Sequence, residues 1–148
     1  MDNTTAKPKF EFDEQIAAGF LANKRSAGGL QTFLGIRITA VGPGTMTGEL
    51  DVRPELLTPI GNMHGGVLSA FCDHMLGCVC YPVMKKGQWA ATTEFKINLT
   101  APVTKGTIAA HAEIINLSRT QAVVRIDIFN DDRRAAIAQG TVTIRDPR

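Results

Sequence analysis

Residues 61–77 read GNMHGGVLSAFCDHMLG, from Gly61 to Gly77. His64, Gly65 and Gly66 lead into a segment, Gly66 to Met84, that is apolar nearly all round. Such a segment is a helix buried on most of its sides, so other elements must cover it from more than one direction. Asp73 sits within it, and a buried carboxylate without a partner is costly enough to need a reason. Two reasons are open. One is chemical, a general base or a nucleophile; the other is structural, a hydrogen bond that caps a neighbouring loop or pairs across a dimer.

Upstream, FDEQIAAGFLANKRS places Phe12, Ile16, Phe20 and Leu21 at helical spacing, which predicts a helix over residues 12–26, ended by AGG at 27–29. Two strands are expected next, Phe33–Val41 and Thr45–Val52, joined by a tight turn at GPG, residues 42–44. Leu50 and Val52 alternate with Glu49, Asp51 and Arg53, the pattern of a sheet with one wet face. PELLTPIGNM, with two prolines, reads as a loop. Downstream of KKGQ the period becomes two. Phe95, Ile97 and Leu99 alternate with Glu94, Lys96 and Asn98; Ile108 to Ile114, Val124 to Ile128 and Ala136 to Ile144 follow as further strands. The order is helix, two strands, long buried helix, four strands. It predicts one α+β domain over residues 1–148, with residues 1–30 as an N-terminal extension carrying its own helix. An antiparallel sheet of about six strands would wrap the long helix. One sheet around one helix leaves edge strands exposed, so dimerisation is expected.

Composition narrows the function. The 148 residues are enough for a real core without staples, and 44% apolar with 20% charged residues is ordinary for a globular domain. A net charge of +2, with no Lys/Arg run interleaved with aromatics, gives no sign of nucleic-acid binding. Cys72, Cys78 and Cys80 form no CxxC pair and suit neither a metal site nor a disulfide framework; small buried hydrophobes in a reducing compartment are expected. The polar, acid-bearing start MDNTTAKPKFEFDEQ is no signal or transit peptide. Val67–Met84 has the length of a membrane span, but Asp73, His74 and Pro82 argue against lipid around it. A cytoplasmic protein is expected. No metal or bound cofactor is implied, because no His/Cys/Asp cluster has ligand spacing.

The first turn of the long helix has its own chemistry. Its backbone N–H groups have no internal partner and the helix dipole is positive there. Two glycines let a substrate carbonyl approach those groups with no Cβ in the way, which suits a carbonyl oxygen gaining negative charge. Asp73 follows His64 by nine residues. That is half a turn net around the helix and about 13 Å along it, too far for one chain to bring both to one carbonyl. A site using both must therefore join two chains, with two such helices side by side and antiparallel.

The helix-in-sheet order, the phrase PIGNMHGGVLSAFCDHM and the later TEFKINLTAPVTKG resemble the hotdog-fold acyl-CoA thioesterases, most closely the PaaI-type and THEM-like subgroup. The resemblance covers residues 30–145, and its most specific part is His-Gly-Gly with an acid nine positions on. It implies hydrolysis of an acyl-CoA, aryl or medium-chain, to free acid and CoA. Gly65 would be the oxyanion donor, Gly66 would lie beside it, His64 would polarise the carbonyl and Asp73 would act as base or nucleophile. A polar residue on the strand after the helix would steady the attacking water: Thr92 falls there, with Thr93 one register step away. Many members carry an asparagine six positions before the histidine to hold substrate. Here that position is Thr58, a departure, while Asn62 stands two before His64. Arg119, in LSRT, matches a basic position near the CoA nucleotide, with Lys105, Arg133 and Arg134 as alternatives. The family pattern also implies a homodimer as the smallest active unit and a homotetramer as the assembly.

Two other readings share these residues. A hotdog dehydratase or hydratase acting on 3-hydroxyacyl thioesters would need the histidine as base, whereas His-Gly-Gly at a helix start fits a carbonyl clamp better. A non-catalytic acyl-CoA binder would have no use for Asp73. His74 and His111 have no chemical context in the sequence and read as surface or structural histidines.

Overall fold

The computed structural model describes residues 10–23 and 28–147. α1 (Glu14–Leu21) starts where the Asp13 carboxylate accepts from the N–H groups of Gln15 and Ile16. The expected 12–26 helix is shorter among the described residues: Phe12 precedes the helix, Asp13 is its N-cap, 22 and 23 form a turn, and 24–26 lie outside the described residues. α2 (Leu30–Leu34) closes on Gly35 in the left-handed region, where a side chain would be strained. This corrects the expected strand from Phe33: its first four residues are the end of α2 and a linker, and β1 covers only Arg37–Gly42. The Arg53 guanidinium caps α2, donating to the carbonyl oxygens of Phe33 and Leu34, which competes locally with extension of the strand.

β2 (Thr45–Asp51) follows the expected turn, and a single 3-10 turn at Pro54–Leu56 breaks the loop before the long helix. α3 (Gly65–Cys78) is shorter than the apolar segment that announced it. A second 3-10 turn at Tyr81–Val83 ends it, because Pro82 has no N–H to continue the ladder and disfavours helix in the residue before it. β3 (Trp89–Leu99), β4 (Thr107–Leu117), β5 (Gln121–Asn130) and β6 (Arg133–Arg145) complete the chain. All pairings are antiparallel and the sheet order is β1-β2-β4-β5-β6-β3. α3 thus carries the chain from β2 across one face of the sheet to the far edge at β3.

Leu68, Phe71, Cys72, Met75 and Leu76 line the side of α3 that faces the sheet and are fully buried against residues such as Leu50, Ile108, Ile126 and Val142. Gly48 lets β2 approach: a Cβ there would lie 2.8 Å from Met75 Sδ. The opposite stripe of α3 is not covered. Gly66 and Asp73 are exposed, and Ala70 and Gly77 are half-buried. This corrects the expectation of a helix buried on most sides and of Asp73 as a buried carboxylate. The sheet curves around one side of α3 only, so within one chain Asp73 keeps its solvent.

Candidate active site

The start of α3 is built by its loops. His64 N–H donates to Leu56 O at 2.9 Å, and Met63 N–H donates to Val103 O at 2.7 Å, fixing the direction of chain approach. His64 is the N-cap, at φ −64° and ψ 134°, and its Nδ1 accepts from Gly66 N–H at 2.8 Å. Val67 N–H is taken by His64 O at 2.9 Å. Gly65 N–H is then the one first-turn donor that has no partner among the described residues, at the positive end of the helix dipole. Because Nδ1 accepts, the neutral imidazole carries its proton on Nε2, a second donor at the exposed edge of the same cap. Leu99 of β3 closes the other side of Gly65, where a Cβ would meet Leu99 Cδ1 at 2.8 Å.

Asp73 lies two turns further along the helix, exposed and on its outward side. Its neighbour His74 turns toward α1 and α2. Burial lowers the His74 pKa, the Asp73 charge opposes that shift, and Nε2 lies 3.5 Å from Cys78 Sγ. Cys72, Cys78 and Cys80 are free and buried, and burial pushes each thiol up to about 12, so none is a nucleophile at neutral pH. Among the described residues no three His, Cys, Asp or Glu side chains converge as a metal site would require.

The strand residues are separated by the sheet. Thr92 pairs with the fully buried Val142 and shares its helix-facing side. Thr93 is exposed, and its hydroxyl bonds the Thr143 hydroxyl on the outer side. Thr58 and Asn62 hold each other across the loop tip. Thr58 Oγ1 donates to Asn62 Oδ1 at 3.0 Å and Thr58 N–H donates to Asn62 O at 2.7 Å, leaving Ile60 88% exposed between them. His111 is tied to Thr47 Oγ1 at 3.1 Å on the outer face.

The cations divide between the two ends of α3. Arg119, at the β4–β5 turn, borders a recess of ≈ 120 Å³ with Val83, Met84 and Lys85, near the helix C-terminus. Lys105, on the β3–β4 loop, and Arg133 and Arg134, at the start of β6, stand near its N-terminus. Arg134 is engaged, with Nε 3.0 Å from Asp127 Oδ1 and its guanidinium over Phe129. Lys85 is a second cation beside Arg119 that sequence reading did not single out. Nothing in the KKGQ turn signals it, since the pairing arises only when the β4–β5 turn folds over the end of α3.

A single chain therefore brings His64, Gly65 and Gly66 together at one end of α3 but not Asp73 or Thr92. Asp73 is about 13 Å along the helix from His64. Thr92 stands seven residues along β3 from Leu99, the residue that touches Gly65, a separation of roughly 20 Å.

The family model described as "Thioesterase superfamily" matches residues 60–137. A 1,4-dihydroxy-2-naphthoyl-CoA hydrolase of Listeria monocytogenes is 26% identical over 121 residues, covering 81% of this chain and 98% of that protein. The crystal structure of a Haemophilus influenzae thioesterase aligns with a TM-score of 0.77 at 25% identity, covering 81% of this chain and 85% of that one. The PaaI protein of the E. coli phenylacetic acid degradation operon shares the fold, with a TM-score of 0.78 at 22% identity over 90% of this chain and 94% of that one.

Proposed function

The chain belongs to the thioesterase superfamily, and from that premise we propose that it hydrolyses an acyl-CoA thioester at a site shared by two chains. The observation that carries the reading is the cap of α3: Gly66 N–H is taken by His64 Nδ1 while Gly65 N–H has no partner among the described residues, with Asp73 out of reach on the same helix. In this reading the thioester carbonyl oxygen accepts from Gly65 N–H of one chain, with His64 Nε2–H alongside. Both donors strengthen as the oxygen becomes an oxyanion. Asp73 of the second chain takes a proton from water as that water attacks the carbonyl carbon, and the Thr92 hydroxyl of that chain holds the water. Collapse of the tetrahedral intermediate breaks the C–S bond, and the proton held by Asp73 passes to the departing thiolate. The products are the free acid and CoA.

The same cap weighs against a dehydratase. A histidine whose Nδ1 accepts from Gly66 carries its proton on Nε2 and has no free lone pair with which to act as base. The relative named as a naphthoyl-CoA hydrolase favours an aryl acyl group. Arg119 and Lys85 are the cations we assign to the CoA phosphates.

The test mixes two damaged chains. Asp73→Asn is nearly isosteric at an exposed position, so it should stay folded and lower kcat by on the order of 10²–10⁴. Gly65→Pro deletes the clamp N–H; proline suits a first helical position, and His64 already holds the extended backbone that a following proline demands. Each homodimer should be nearly inactive. After subunit exchange about half the dimers are mixed, and each mixed dimer has one intact site, so activity should return to roughly a quarter of the parent. Exchange confirmed by native mass spectrometry with no recovery would sink the shared site. Thiol release across aryl and medium-chain aliphatic CoA esters reads the acyl preference in the same assay.

A further inference from the structure

Which of the two adjacent threonines of β3 faces the helix is decided by one extra residue. Between Thr92, opposite Val142, and Glu94, opposite Thr141, two steps of β3 match one step of β6, so Thr93 is the inserted residue of a β-bulge. Beyond it Phe95, Ile97 and Leu99 pair with Gly140, Ala138 and Ala136 and share their helix-facing side. A regular strand in that register would aim Thr93 toward the helix and Thr92 outward, because side chains alternate with a period of two. The bulge reverses the choice.

Two residues of β6 fix it. Gly140 stands against the strand just past the bulge, where a Cβ would lie 2.5 Å from Phe95 Cβ and 2.6 Å from Glu94 O, so only glycine admits this close approach. On the other side the Thr143 hydroxyl bonds the Thr93 hydroxyl and holds the inserted residue on the outer face. Bulges commonly re-aim a side chain next to an active site. We propose that Thr143 is a positioning residue for the hydrolytic reaction: by latching Thr93 outward it keeps the Thr92 hydroxyl on the α3 side. The inference rests on the role given to Thr92 above.

The experiment is a small set of variants read by steady-state thiol release with circular dichroism alongside. Thr143→Val keeps the shape and removes the latch. It should lower kcat roughly five- to thirtyfold with KM within a factor of two, since a misplaced water costs rate more than binding. Thr143→Ser keeps the hydroxyl and should restore kcat. Thr93→Val breaks the same bond from β3 and should reproduce the loss, which covers the case of a misfolded Thr143→Val. In the Thr92→Val background, adding Thr143→Val should cost nothing more, because the latch acts only through Thr92. Normal kcat for Thr143→Val and Thr93→Val beside an impaired Thr92→Val overturns the positioning role and leaves the reaction reading intact. Losses that multiply in the double variant also overturn it. A Thr92→Val enzyme with parental kcat removes the role of Thr92 and the latch together.

Discussion

β1 and β3 are the two edges of the sheet, and the chain finishes them differently. At β1 the Asn23 side chain acts as a strand partner: its Nδ2 donates to Ile38 O at 2.9 Å and its Oδ1 accepts from Ile38 N–H at 2.7 Å. Asn23 reaches this position in the left-handed region, at φ 46°, which asparagine tolerates better than most residues. α1 packs along the same strand. β3 is eleven residues long, and among the described residues only the Tyr81 hydroxyl, 3.4 Å from Ala90 N, meets its backbone from outside the sheet. Leu99 is 53% exposed there, and the uncovered stripe of α3 with Asp73 is open on the same chain. Unpaired edges invite another strand. The N-terminal segment closes one edge within the chain, and the two-chain site proposed above needs the other open.

Placing a charge on the open side should have the largest effect. Gly77 stands one turn beyond Asp73 on the uncovered stripe, and a Cβ there meets nothing within 4 Å, so Gly77→Glu has room in the single chain. Glutamate is also the better helix former by roughly 0.5–1 kcal/mol, so the protomer should fold at least as well. Against a partner chain it would bury a charge, and we expect a monomer whose activity falls to background, on the order of 10⁴ below the parent. Size-exclusion chromatography with light scattering, run beside the thiol assay, decides it. A dimer with ordinary activity would place the partner elsewhere.

A smaller effect separates the clamp from its surroundings. Gly65→Ala and Gly65→Pro both press on Leu99 Cδ1, the end of a flexible and exposed side chain, but only proline deletes the N–H. The proline variant should lose roughly 10²–10³ in kcat, while the alanine variant stays within about tenfold of the parent. Equal losses in the two would mean that crowding, and not the missing donor, slows the enzyme.

The smallest effect belongs to the closed edge. Asn23→Ala removes both bonds to Ile38 and leaves alanine in the left-handed region. A loss of about 1–3 kcal/mol and a Tm lower by about 3–8 °C are expected. Thermal unfolding measures this, with kcat and oligomeric state unchanged. A change in assembly instead would show that the β1 edge also takes part in it.

Much of this architecture is visible in the chain itself. The period-two runs around Phe95, Val124 and Ala136 become strands, and the apolar block after His-Gly-Gly becomes the central helix. Phe33 misleads because β-propensity is weak beside a local competitor: the Arg53 guanidinium on the carbonyls of Phe33 and Leu34 holds that stretch helical. Asp73 misleads for a different reason. Its apolar neighbours mark a core helix, but burial depends on how far one sheet curves, and that is not a property of the segment.

By itself the sequence determined the types of the long elements, the glycine-framed helix start and the nine-residue separation of His64 and Asp73, because periodicity, backbone freedom and helical rise are local. Three things waited on the tertiary structure. The cap of His64 on Gly66 depends on loops anchored at Leu56 and Val103, which leaves Gly65 as the first-turn donor with no partner among the described residues. The pairing of Arg119 with Lys85 depends on a turn folding over the end of α3. The choice of Thr92 over Thr93 depends on register. Two adjacent threonines have the same propensity, and only the insertion in β3, set by contacts with Gly140 and Thr143 on another strand, decides which one faces the helix.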